Sequence, residues 1–150
     1  MEPTINNCRV ARVLIDGGSS LNILFANALD AMQVPRSSVQ TVTQAFHGIV
    51  PGSSATPIGQ VILPVTFGTP ENFRTEKVLF DVVDFETAYN AILGRPTLAK
   101  FMVATHYAYQ CMKMPGPKGI LAIKSSTQEA LLCDKQSLDQ IGRASCRERV

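Results

Sequence analysis

The chain reads as short apolar runs cut apart by glycine, proline and small polar residues. Cys8 to Ile15 alternates and then turns continuously apolar, the pattern of a strand entering a core. Asp16-Gly17-Gly18-Ser19-Ser20 interrupts it with turn residues, and Leu21, Ile23, Leu24 and Phe25 resume as a second strand. Ala26 to Met32 predicts a turn or two of helix, stopped near Pro35. Val39 to Ile49 is β-rich and runs into the turn cluster Pro51-Gly52-Ser53-Ser54. Ile58 to Phe67 returns from it, so the two segments are expected to pair as a hairpin with a mobile, glycine-rich tip.

Phe73 to Val83 is a further strand, and its nearly all-apolar second half predicts burial on both faces. Asp84 to Asn90 is polar and loop-like. Ala91 to Leu93 is apolar again, Gly94-Arg95-Pro96 follows, and Thr97 to Phe101 favours a helix. Met102 to Met112 reads as one strand with aromatic faces at Tyr107 and Tyr109. Pro115 to Gly119 is a turn, with Ile120 to Ile123 as the returning strand. Short strands, many Gly/Pro turns and one short C-terminal helix predict a mostly-β domain closed as a barrel, with a flap hairpin. The expected organisation is an N-terminal flank at 1–7, the domain at 8–124, a polar linker at 125–140 and a tail at 141–150.

Composition narrows the class. The 150 residues, 45% hydrophobic and 17% charged, suit one folded domain. No apolar run approaches the roughly 18 residues a membrane span needs, and the polar N-terminus lacks the shape of a signal peptide. A cytoplasmic protein, or one held within a virus-like particle, is therefore expected. Cys8, Cys111, Cys133 and Cys146 show no Cys-x-x-Cys pair and no histidine at zinc-finger spacing, so free thiols and no metal are expected. The net charge of +2 comes from the last ten residues, Ile141 to Val150, which resemble a translated sequencing adaptor. Setting them aside removes Arg143, Arg147, Arg149 and Glu148 and balances the charge, so the basicity does not argue for nucleic-acid binding.

Asp16 is the candidate centre of the chemistry. A carboxylate at the end of an apolar strand is costly unless hydrogen-bonded. Two following glycines allow a sharp turn, so that the N–H groups of Gly18 and Ser19 and the hydroxyls of Ser19 and Ser20 can address it. A turn aspartate satisfied by its own loop fits the segment equally well. The run has no Lys for a phosphate loop and no G-x-S-x-G for a nucleophile elbow. His47 and His106 lack partners at metal or triad spacing and read as solvated turn and strand residues. Arg95 is expected to brace the adjoining helix by pairing with Asp30 or Asp81. Asp81 and Asp84 otherwise read as solvated turn carboxylates.

Val13-Leu14-Ile15-Asp16-Gly17-Gly18-Ser19-Ser20 resembles the active-site loop of retropepsins, apolar-apolar-Asp-Thr/Ser-Gly-Ala/Ser. Ala91-Ile92-Leu93-Gly94-Arg95 resembles the apolar-apolar-Gly-Arg segment that closes that loop and opens the family's helix, and Phe46-His47-Gly48-Ile49 falls where its flap lies. Tyr89 to Pro96, Lys113 to Gly119 and Glu129 to Cys133 are further similar to the protease region of plant gypsy-type retrotransposon polyproteins. The resemblance implies an aspartic endopeptidase without cofactor, a homodimer with one Asp16 per chain, and peptide segments of a retroelement polyprotein as substrate. It implies that Phe46, His47, Gly48 and Ile49 cover substrate, and that Ile92, Leu93, Gly94 and Arg95 support the loop. Gly17 departs from the pattern, because Thr or Ser there braces the two loops across the dimer axis. A non-catalytic relic or dimerisation module, and a generic β-barrel interaction domain, are the alternative readings.

Overall fold

The computed structural model describes residues 2–41, 46–50, 53–55, 57–106 and 111–124. The expected linker at 125–140, the tail at 141–150, and Tyr107 and Tyr109 lie outside the described residues. The strands are β1 (Thr4–Ile5), β2 (Cys8–Arg9), β3 (Val13–Ile15), β4 (Ile23–Phe25), β5 (Phe46–Val50), β6 (Ser53–Ala55), β7 (Pro57–Thr69), β8 (Asn72–Val83), β9 (Ala91–Leu93), β10 (Ala104–His106), β11 (Cys111–Gly116) and β12 (Gly119–Lys124). Two short helices, α1 (Ala26–Ala31) and α2 (Arg95–Lys100), and a 3-10 turn at Arg36–Ser38 complete the described elements. The main sheet runs β2-β1-β7-β8-β4-β9-β3 and curls into a half-barrel; β10-β11-β12 form a second sheet, and β5-β6 a separate hairpin.

The centre of the fold follows from burial on both faces. In β3, β4 and β9, Ile15, Leu24, Ala91 and Leu93 enter the main core. Leu14, Ile23, Phe25 and Ile92, their alternating neighbours, pack with Val83, Ala88 and Tyr89 on the opposite side. Strands covered on both faces need continuous rather than alternating apolar sequence, which is what these segments have. The long β7–β8 ladder instead alternates over much of its length: Val61, Leu63, Val65 and Phe67 are buried while Ile62 is 62% exposed.

Three expected elements are differently built. The Cys8–Ile15 run is two strands, because the chain is out of strand over residues 10–12 and turns at Arg12, whose φ is 53°. Asn90 holds that break: its side-chain amide donates to Ala11 O at 2.7 Å and its N–H to Arg12 O at 3.0 Å. Ile58 to Phe67 lies within β7 and pairs along β8, touching the preceding segment through the Gln40–Gln60 bridge, while β5 closes its hairpin with the short β6. Met102 to Met112 is not one strand, since β10 and β11 run antiparallel with His106 opposite Cys111. Among the described residues, no helix is long and apolar enough to cross a membrane.

Candidate functional site

The topology places a loop over the end of a strand. β9 lies between β3, which it joins in parallel, and β4, which it joins antiparallel. The chain leaving β3 at Asp16 must therefore cross the end of β9 to enter β4. At that crossing Gly94 passes beneath the loop, and a Cβ there would stand 2.2 Å from Leu21 O and 2.7 Å from Ser19 O. Both contacts are with backbone, so only glycine fits without moving the loop or β9.

Hydrogen bonds fasten the crossing. Asp16 N–H donates to Leu93 O at 3.0 Å, Ser19 N–H to Asp16 O at 3.1 Å and Arg95 N–H to Ser19 O at 2.9 Å. Gly18 N–H donates to Asp16 Oδ1 at 2.9 Å, which fixes one oxygen of the half-buried carboxylate. A Cβ on Gly18 would come within 3.3 Å of that same oxygen. Gly17 keeps an ordinary negative φ, so its backbone does not require glycine.

Ser19 does not address the carboxylate through its hydroxyl. Its Oγ donates to Leu21 O at 2.8 Å and accepts from Leu21 N–H at 3.2 Å, a local closure that competes successfully with the longer reach. Nor do Asp30 and Asp81 pair with Arg95, which is exposed. Arg36 engages both oxygens of Asp30, at 3.2 and 2.9 Å, and this pairing holds the Asp30 carboxyl below the usual carboxylate range. Asp81 is not a solvated turn residue: it is 4% exposed and accepts from Gln60 Nε2 at 2.9 Å. Asp84 is exposed.

The main bracing residue went unrecognised in the sequence. Asn22, 4% exposed, accepts through Oδ1 from Gly94 N–H at 2.9 Å and from the Thr97 hydroxyl at 2.7 Å. Its Nδ2 donates to Leu79 O at 3.2 Å, and its own carbonyl accepts from Asp81 N–H at 2.8 Å. One amide thus ties the loop to β8, β9 and α2. The signal available was a single polar residue inside the apolar run Leu21-Asn22-Ile23-Leu24, where burial without partners would be costly.

Ile92 and Leu93 are core residues of β9, and Gly94 and Arg95 sit at its junction with α2. Phe46, His47, Gly48 and Ile49 occupy β5, opposite Ala55 at Phe46 and Ser54 at His47; their side chains lie outside the described residues. Among the described residues Cys8 and Cys111 are free, and no group of three or more His, Cys, Asp or Glu is placed to hold a metal ion. The arrangement presents one fixed carboxylate on a braced loop, with a separate hairpin elsewhere in the fold.

No protein-family model matches the chain, and no curated protein matches it. Solved structures do. The retroviral protease-like domain of Ddi1 from Leishmania major superposes with a TM-score of 0.58 at 15% identity, covering 81% of this chain and 87% of that one. A retropepsin-like aspartic protease from Rickettsia conorii gives a TM-score of 0.53 at 15% identity, covering 81% and 78%. At this identity the likeness is one of fold, and the chain has the retropepsin-like fold.

Proposed function

We propose that the protein is an aspartic endopeptidase that works as a homodimer, with Asp16 of each copy meeting at a shared site. The observation that carries the reading is Asp16 itself, a carboxylate at the mouth of β3 with Gly18 N–H on one oxygen and its loop hydrogen-bonded to Leu93 and Arg95 on either side of Gly94. One carboxylate does not make a proton-sharing pair. Two of them about 3 Å apart cannot both be ionised, so one holds a proton while the other accepts. The ionised member takes a proton from a bound water, and the protonated member donates to the scissile carbonyl oxygen as water attacks. No covalent intermediate forms.

The β5–β6 hairpin is proposed as the lid, with Phe46, His47, Gly48 and Ile49 covering an extended peptide and excluding water from it. The proposed substrates are segments of a retroelement polyprotein of the plant gypsy type, cleaved in the cytoplasm or inside a virus-like particle. Gly17 favours a second reading, a non-catalytic dimerisation module, because no side chain at that position can join the two loops. A peptidase assay at mildly acidic pH separates them. The enzyme reading expects turnover that pepstatin inhibits and Asp16→Ala abolishes; absent or pepstatin-insensitive turnover overturns it.

A further inference from the structure

The three buried polar side chains of the described core, Asn22, Asp81 and Thr97, all line one cavity. Two of them are fully accounted for. Asn22 bonds to Gly94, Thr97 and Leu79, and Thr97 spends its hydroxyl on Asn22. Asp81 is different. A carboxylate accepts at about four lone-pair positions, yet this one receives a single neutral donor, Gln60 Nε2 at 2.9 Å. Its second oxygen has no partner among the described residues. Buried carboxylates are normally matched by a cation or several donors.

Among the described residues no cation meets it. Lys77 and Lys100 also line the cavity, but Lys100 Nζ donates to Lys77 O. Lys77 shares a face of β8 with Asp81 four residues away, roughly 13 Å along an extended strand and beyond a lysine's reach. Along β8 the cavity wall therefore runs from Asp81 past Leu79 to Lys77, with Pro96 and Lys100 contributed by α2. The cavity volume is about 260 Å³, below the about 300–1,000 Å³ of pockets that take drug-sized ligands. That is room for a long side chain rather than a cofactor.

We propose that this cavity, between α2 and the β7–β8 ladder, is a second binding site that takes one cationic peptide side chain, an ammonium or guanidinium, against Asp81. The apolar stem of such a side chain lies along Leu79 and Pro96. The lysines at the far end disfavour a polybasic segment and favour a single cation with neutral or acidic neighbours. Ser20, Leu21 and Asn22 form part of the same wall, so occupancy sits against the loop that carries Asp16.

Binding needs no turnover, so its test is independent of the peptidase reading. The full chain is titrated with N-acetyl-arginine methylamide, N-acetyl-lysine methylamide and the neutral N-acetyl-norleucine methylamide, followed by amide NMR shifts. Saturable shifts at Asn22, Leu79 and Asp81 are expected for either cation and not for norleucine. Asp81→Asn weakens the effect at least about tenfold. Leu79→Arg, at a position 46% exposed, supplies an internal cation on the same face and blocks the site without disturbing the core. Absence of saturable shifts for both cations, equal binding of norleucine, or unchanged binding in both variants overturns the proposal.

Discussion

Replacing Asn22 by leucine isolates the brace beneath the Asp16 loop. The side chains share one branched heavy-atom skeleton, so the change removes hydrogen bonding without leaving a cavity. Gly94 N–H and the Thr97 hydroxyl lose their acceptor, and Leu79 O loses a donor. An unsatisfied buried donor costs about 1–3 kcal/mol; the Thr97 hydroxyl can rotate while the Gly94 N–H cannot, so a total of about 2–4 kcal/mol is expected. That is a large share of the roughly 5–15 kcal/mol that holds a domain together. Urea unfolding followed by circular dichroism measures it, at one protein concentration because self-association adds stability that depends on concentration. Thr97→Val alone removes one of the same bonds, so the double variant costs less than the two single ones combined, with a coupling of about 0.5–3 kcal/mol. A cost for Asn22→Leu below about 0.5 kcal/mol, the range of surface changes, or strict additivity with Thr97→Val, refutes the brace.

Gly17→Thr is tolerated by the negative φ at that position and supplies the missing hydroxyl, so sedimentation should show tighter self-association or peptidase assays higher turnover; no gain in either counts against the dimeric site. Arg74 donates to the last carbonyls of α2, Lys100 O at 2.9 Å and Phe101 O at 2.8 Å, with its guanidinium 5.5 Å from the Phe101 ring. Arg74→Met should cost about 1.5–3 kcal/mol in the same urea assay, against at most about 1 kcal/mol for Glu76→Gln, which breaks only the ion pair. Asp30 is held below its usual range by the hydrogen bond from Arg36 and then by its charge, so this pair's contribution is present at neutral pH and disappears as pH falls through the folded-state pKa. Carboxyl NMR titration of Arg36→Gln should move Asp30 upward, and an unmoved midpoint contradicts the pairing.

What was legible in the sequence follows physical scale. β3, β4 and β9 are buried on both faces, and that requirement writes itself as unbroken apolar residues at Val13–Ile15, Ile23–Phe25 and Ala91–Leu93. The glycine before Arg95 was visible for a similar reason, because a tight backbone crossing leaves little choice of residue. Partner choice was not visible. Asp81 sits at the end of an apolar strand whichever way it is solvated, and only the β7–β8 register, Gln60 opposite Asp81, covers it. Ser19 offered two plausible acceptors, and the local one at Leu21 won. Asn22 gathers partners from β8, β9 and α2, elements far apart in sequence that meet only in the fold. The break at Arg12 likewise depends on Asn90, brought alongside by the β3–β9 pairing.

The central claim is that the site is built from two chains, each giving one Asp16. Subunit mixing tests it most directly: inactive Asp16→Asn chains are titrated into a fixed amount of unmodified protein under conditions where dimers exchange, and peptidase activity is followed. A two-chain site predicts that activity falls as mixed dimers form, approaching zero at large excess of the variant, while total dimer rises. Activity that stays constant across the titration would mean that one chain suffices, and would contradict the account.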